Sequence, residues 1–89
     1  MTAPTPFESN VTRVMEDIRA LLIEKNRSYG NSALAPVRIF SSASPTEALL
    51  VRIDDKLSRV SRGSEFPGED TIRDLIGYLV LLLVARESE

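Results

Sequence analysis

The run Leu79-Val80-Leu81-Leu82-Leu83-Val84-Ala85 is apolar on every face that a helix could present. An ordinary surface helix shows one apolar stripe, whereas a helix of this kind must be covered on all sides. The run ends long before the about 20 residues that a bilayer-spanning helix needs, so the cover has to be protein. The chain itself has only 89 residues. A chain of that length buries roughly 60 to 65% of its unfolded surface. Cysteine is absent, so no disulfide framework compensates. A helical homo-oligomer, either a homodimer or a homotetramer, that buries these segments against one another is the economical solution.

Apolar spacing predicts three main helices and an all-α fold. Val11, Val14, Ile18, Leu21, Leu22 and Lys25 recur at three- and four-residue steps, which predicts a first helix from about Ser9 to Ser28 with Gly30 as its stop. Ser44-Pro45-Thr46-Glu47 places a capping serine before a first-position proline and a third-position glutamate, opening a second helix. That helix runs through Leu49, Leu50, Ile53, Leu57 and Val60 to about Gly63. A third opens at Pro67-Gly68-Glu69-Asp70, with acids suited to the positive end of the dipole, and continues to about Arg86. Between the first two helices, Asn31 to Ser44 reads as an ordered loop with one short helical turn. Pro36 interrupts it, and Val37, Ile39 and Phe40 give it something to pack. Met1 to Pro6 is rich in proline and threonine and carries no targeting pattern. Residues 1–8 are therefore expected to form a flexible tail, and 9–89 a single all-helical domain.

Composition narrows the chemistry. Histidine is absent as well as cysteine, which removes the usual general base, the thiolate nucleophile and the commonest zinc ligands. A metal would have to be a hard ion such as magnesium, held by carboxylates. A net charge of −2 gives no bulk attraction to DNA or anionic lipid. No membrane partner and no direct DNA binding are expected, and a cysteine-free chain fits a reducing cytoplasm.

The densest chemistry lies in Lys25-Asn26-Arg27-Ser28-Tyr29-Gly30-Asn31-Ser32. Lysine and arginine neutralise phosphate, and tyrosine stacks on a base or donates to an oxygen. The bland alternative is that Tyr29 packs the helix end and Gly30 merely stops it. In the second helix, Asp55 and Arg59 are spaced for an ordinary surface pair, and Asp54 falls at the edge of the apolar stripe. In the third, Asp70, Asp74 and Tyr78 recur at four-residue steps and are expected on one face. Two like charges at that spacing repel unless a cation lies between them, and Arg73 is expected not to supply it. Either a metal or ligand does so, or Lys56 or Arg59 from the second helix does.

Three motifs in order carry a resemblance. Lys25-x-x-x-Tyr29-Gly30, Arg52-Ile53-x-Asp55-Lys56-Leu57-x-Arg59 and Asp70-x-x-x-Asp74-Leu75-x-x-Tyr78 together resemble the nucleotide modification associated domain of bacteriophage genomes, a small all-helical family. The chain is more distantly similar to the MazG-like all-α nucleoside triphosphate pyrophosphatases, which hold magnesium with acids on two neighbouring helices. It departs from their Glu-Glu-x-x-Glu and Glu-x-x-Asp pattern, with scattered Glu47, Asp54 and Asp55 for the first and Thr71 before Asp74 in the second.

The resemblance implies a nucleotide as substrate or ligand. Lys25, Tyr29, Asn31, Arg52 and Lys56 would contact it, and Asp54, Asp55, Asp70 and Asp74 would hold Mg2+. It implies first a magnesium-dependent pyrophosphohydrolase, cleaving between the α- and β-phosphates. The alternative is a protein that sequesters a nucleotide, including a cyclic or ADP-ribose-type defence signal, without turnover. A helical scaffold for protein interaction is the third reading.

Overall fold

The computed structural model describes residues 2–35, 43–63, 67–68 and 70–88. It contains three helices, α1 (Pro6–Tyr29), α2 (Pro45–Arg62) and α3 (Thr71–Glu87), and no strand among the described residues. The expected loop's Pro36, Val37, Ile39 and Phe40 lie outside the described residues, and so does Glu69.

Each helix begins where a short side chain accepts an otherwise orphaned backbone N–H. The Glu8 N–H donates to Thr5 Oγ1 at 3.1 Å, and the Glu47 N–H to Ser44 Oγ at 3.1 Å. Thr5, Pro6 and Glu8 repeat the cap, proline and glutamate order of Ser44, Pro45 and Glu47. That start signal precedes the first apolar residue of the stripe, so α1 begins three residues ahead of Ser9. Gly30 and Gly63 close α1 and α2 in the left-handed conformation, with φ of 62° and 65°. Asn31 follows at φ 62°, and its carbonyl accepts the N–H groups of Leu34 and Ala35, making one turn beyond the helix.

Helices α2 and α3 pack along one another as a pair, and α1 lies across α3 over a shorter stretch. The crossing point is Gly77, where a Cβ would sit 3.3 Å from Leu22 Cδ2, so the missing side chain lets α1 approach. Ile18, Leu49, Ile53, Leu82 and Ala85 form the small buried core. On α2 the buried stripe is Leu49, Ile53 and Lys56. Leu50, Leu57 and Val60, expected inside, are instead 39%, 49% and 43% exposed. The stripe rotates because the Lys56 stem is buried alongside the apolar residues while its ammonium meets Asp74 of α3.

Candidate functional site

Because α1 and α2 both dock on α3 but not on each other, a space remains between them. It forms a cavity of about 420 Å³, within the usual range for small-molecule sites. Its apolar wall includes Leu21 and Leu22 of α1, Leu49 of α2 and Gly77 and Leu81 of α3. Its polar groups are Lys25, Asn26, Tyr29 and Ser32 from the end of α1, Arg52 from α2, and Arg73, Asp74 and Tyr78 from α3.

Asp74 organises this cluster. Its carboxylate lies 3.3 Å from Lys56 Nζ and 3.7 Å from Lys25 Nζ, so one acid from α3 ties down cations from both other helices. The two lysines differ in setting. Lys56 has only 9% of its side chain exposed, behind the cavity and not in its lining, whereas the Lys25 side chain is 49% exposed on the cavity wall. Lys56 therefore anchors Asp74 structurally, and Lys25 is the cation able to turn toward a ligand. Arg52 stands with its guanidinium carbon 5.9 Å from the centre of the Tyr78 ring, within range of a cation–π contact. That contact holds the fork of the guanidinium in place beside the cavity. Tyr29 is 68% exposed on the cavity wall, so it does not serve as packing for the helix end.

Asp70 does not join Asp74 and Tyr78 on one face as its spacing predicts. It is the N-cap of α3, with φ −108° and ψ 91°, and its Oδ1 accepts the Arg73 N–H at 3.0 Å. The Asp70 carbonyl still accepts the Asp74 N–H at 2.9 Å, but its extended backbone and its bond to the Arg73 N–H turn the side chain to the helix end. Arg73 also reaches back, placing Nε 3.3 Å from Asp70 Oδ2, so it pairs with one of the two acids although its position is expected not to help. The Asp70 carboxyl is held below the ordinary aspartate value, first by that backbone N–H, against an opposing effect of desolvation, and then by the Arg73 guanidinium. Arg73 further lies 4.0 Å from Asp17 Oδ2, a second tie between α1 and α3.

The four carboxylates considered for magnesium are thus dispersed. Asp74 is engaged by two lysines, Asp70 caps α3, Asp55 pairs with Arg59 at 3.3 Å, and Asp54 is exposed on α2. No group of three or more acidic residues placed to hold a metal ion occurs among the described residues. Among the described residues, then, no carboxylate cluster of the kind the resemblance implies for magnesium is assembled.

No family model, curated protein or solved structure matches this chain. Of the five expected ligand contacts, Lys25, Tyr29 and Arg52 line the cavity, Lys56 supports it from behind, and Asn31 is outside its lining. Asn31 instead makes the left-handed turn after Gly30. Sequence spacing passed over Gly77 and Arg73 as site residues, although both line the cavity. A glycine within an apolar helix was the available signal, because it costs about 1 kcal/mol relative to alanine and so calls for a packing reason.

Proposed function

We propose that the cavity binds a nucleotide or nucleotide-derived molecule and that the protein sequesters this ligand without turning it over. The observation that carries the reading is the convergence of Lys25, Arg52, Tyr29 and Tyr78 on one cavity from three separate helices. Lys25 and Arg52 suit phosphate oxygens, the first as a mobile point charge and the second as a fixed fork. Tyr29, exposed on the wall, offers a ring on which a base can stack, and the leucine wall accepts its other face. Asp74 holds Lys25 in place while no ligand is bound, and a phosphate competes with it for that lysine. The resemblance to the phage domain family points to the same ligand class. In that setting the protein acts in the host cytoplasm as a homodimer or homotetramer.

The pyrophosphohydrolase reading needs several carboxylates around one magnesium ion. With those groups dispersed, no hydrolytic step is derived from this site.

The test uses purified full-length protein with ATP, GTP, a cyclic dinucleotide and ADP-ribose, each with and without magnesium. Melting temperature and released pyrophosphate are followed together. Sequestration predicts a ligand-dependent rise in melting temperature without pyrophosphate. That rise is lost in Tyr29→Ala and in Arg52→Ala while the ligand-free proteins stay folded. Magnesium-dependent pyrophosphate release overturns the claim of no turnover, and no thermal shift with any of the four overturns the ligand class.

A further inference from the structure

α3 carries two apolar faces. The inner one, with Gly77, Leu81, Leu82 and Ala85, packs on α1 and α2 and closes the cavity. The opposite one is Ile72, Ile76, Leu79 and Leu83, at steps of four, three and four, with Val80 beside them. All five are between 38% and 61% exposed. No charged side chain interrupts α3 from Leu75 to Ala85. α1 repeats the situation along its length. Phe7, Val11, Val14 and Met15 lie on the same helical stripe as Ile18 and Leu22, but α3 covers only the later part of it. Ile18 is 5% exposed, against 75% for Phe7 and 65% for Met15.

The amount of surface left open fits a second copy of the chain as its cover. The chain exposes 7036 Å², whereas a compact monomer of 9.9 kDa exposes about 5,200 Å². Its radius of gyration is 15.4 Å, against about 12 Å for a compact domain of this length. The excess of roughly 1,800 Å² per chain exceeds the about 800 Å² that each partner buries in a standard interface and matches obligate dimers. A membrane surface is a poorer occupant, because a helix lying in the interface needs a polar face rich in lysine and arginine behind its apolar one. The back of α3 is instead buried in its own fold. The four-three-four step is also the pattern by which a helix packs along a second copy of itself.

We propose that the outer stripe of α3, extended by the uncovered half of the α1 stripe, is the surface on which a second copy of this chain packs. Like surfaces meet about a twofold axis, so every apolar residue is used twice and the assembly closes. The inference deepens the self-association given under the proposed function and rests on that part alone, not on the ligand. The cavity lies on the other side of α3 and stays open in such a dimer.

The test exploits the absence of cysteine. Single substitutions Ile76→Cys and Leu79→Cys place a thiol on the proposed surface, and Val51→Cys places one on α2 as a control. Wild-type protein is expected to sediment at twice its monomer mass at micromolar concentration, and Leu83→Glu to raise the dissociation constant at least 100-fold. Mild oxidation is expected to link the dimers of the two α3 variants and not those of Val51→Cys. If Leu83→Glu loses its helical circular dichroism, the cross-linking pattern alone decides. A wild-type monomer at 200 µM overturns the proposal. A wild-type dimer that cross-links through position 51 but not through 76 or 79 overturns the surface while leaving self-association in place. Neither result bears on ligand-induced stabilisation, which is read separately.

Discussion

At the scale of single residues, Asp74 and Lys56 carry the clearest consequence. Lys56 is nearly buried and faces a carboxylate that is itself only 20% exposed. Removing that carboxylate takes from a nearly buried ammonium its ion pair with α3, which typically costs about 1 to 3 kcal/mol. Asp74→Asn is therefore expected to lower stability by roughly that amount in urea denaturation. Lys56→Met keeps the buried stem and leaves Asp74 with Lys25, so it is expected to cost less. Little loss from either substitution, both of which keep the side-chain shape, would mean that the pair contributes through packing alone. Gly77→Ala tests the crossing point. Alanine gains about 1 kcal/mol of helix propensity, and the new Cβ presses on the mobile end of Leu22. The two effects oppose, so a net change under about 1 kcal/mol is expected. A loss well beyond that would show that Leu22 has nowhere to turn.

At the scale of the elements, the helix starts are decided by local chemistry and respond to local changes. Ser44→Ala removes the acceptor of the Glu47 N–H and is expected to cost about 1 kcal/mol, seen as a lower urea midpoint with an unchanged slope. Asp70 adds a dependence on pH. Its carboxyl titrates below the ordinary aspartate value in the folded chain. The stability it contributes is therefore complete above the unfolded aspartate range and disappears as pH falls through the lower folded value. Wild-type protein is expected to lose more stability than Asp70→Asn as pH falls below the unfolded aspartate range, because asparagine caps without titrating. Parallel pH profiles would contradict the cap as the source. These boundaries were legible in the sequence, since Ser44-Pro45-x-Glu47 and Gly63 act on their immediate neighbours. The Thr5-Pro6-x-Glu8 start carries the same signal and was passed over in favour of the apolar spacing that begins at Val11.

For the whole molecule, the thin core and the open apolar faces lead to one expectation about behaviour in solution. A chain whose fold is completed by a second copy melts at a temperature that rises with protein concentration. Scanning from 5 to 500 µM is expected to raise the midpoint by several degrees, and a midpoint independent of concentration would speak for a self-sufficient monomer. The apolar run Leu79 to Ala85 raises the same expectation from the sequence, because a helix apolar on every face calls for cover that a chain this short supplies with difficulty.

The chain's order of residues, by itself, determined the three helices, their caps and the apolar character of α3, all of which arise from interactions within a few residues. Only the tertiary structure decided which carboxylate meets which cation. Asp70 and Asp74 look equivalent by spacing, yet one caps a helix and the other joins Lys25 and Lys56. Likewise Lys56 and Arg59 are both candidates by sequence to meet an acid of α3, and it is the packing of α3 over the Lys56 stem that brings that lysine to Asp74. The cavity between α1 and α2 exists because both helices dock on α3 and not on each other, a relation between residues far apart in the chain that no local pattern records.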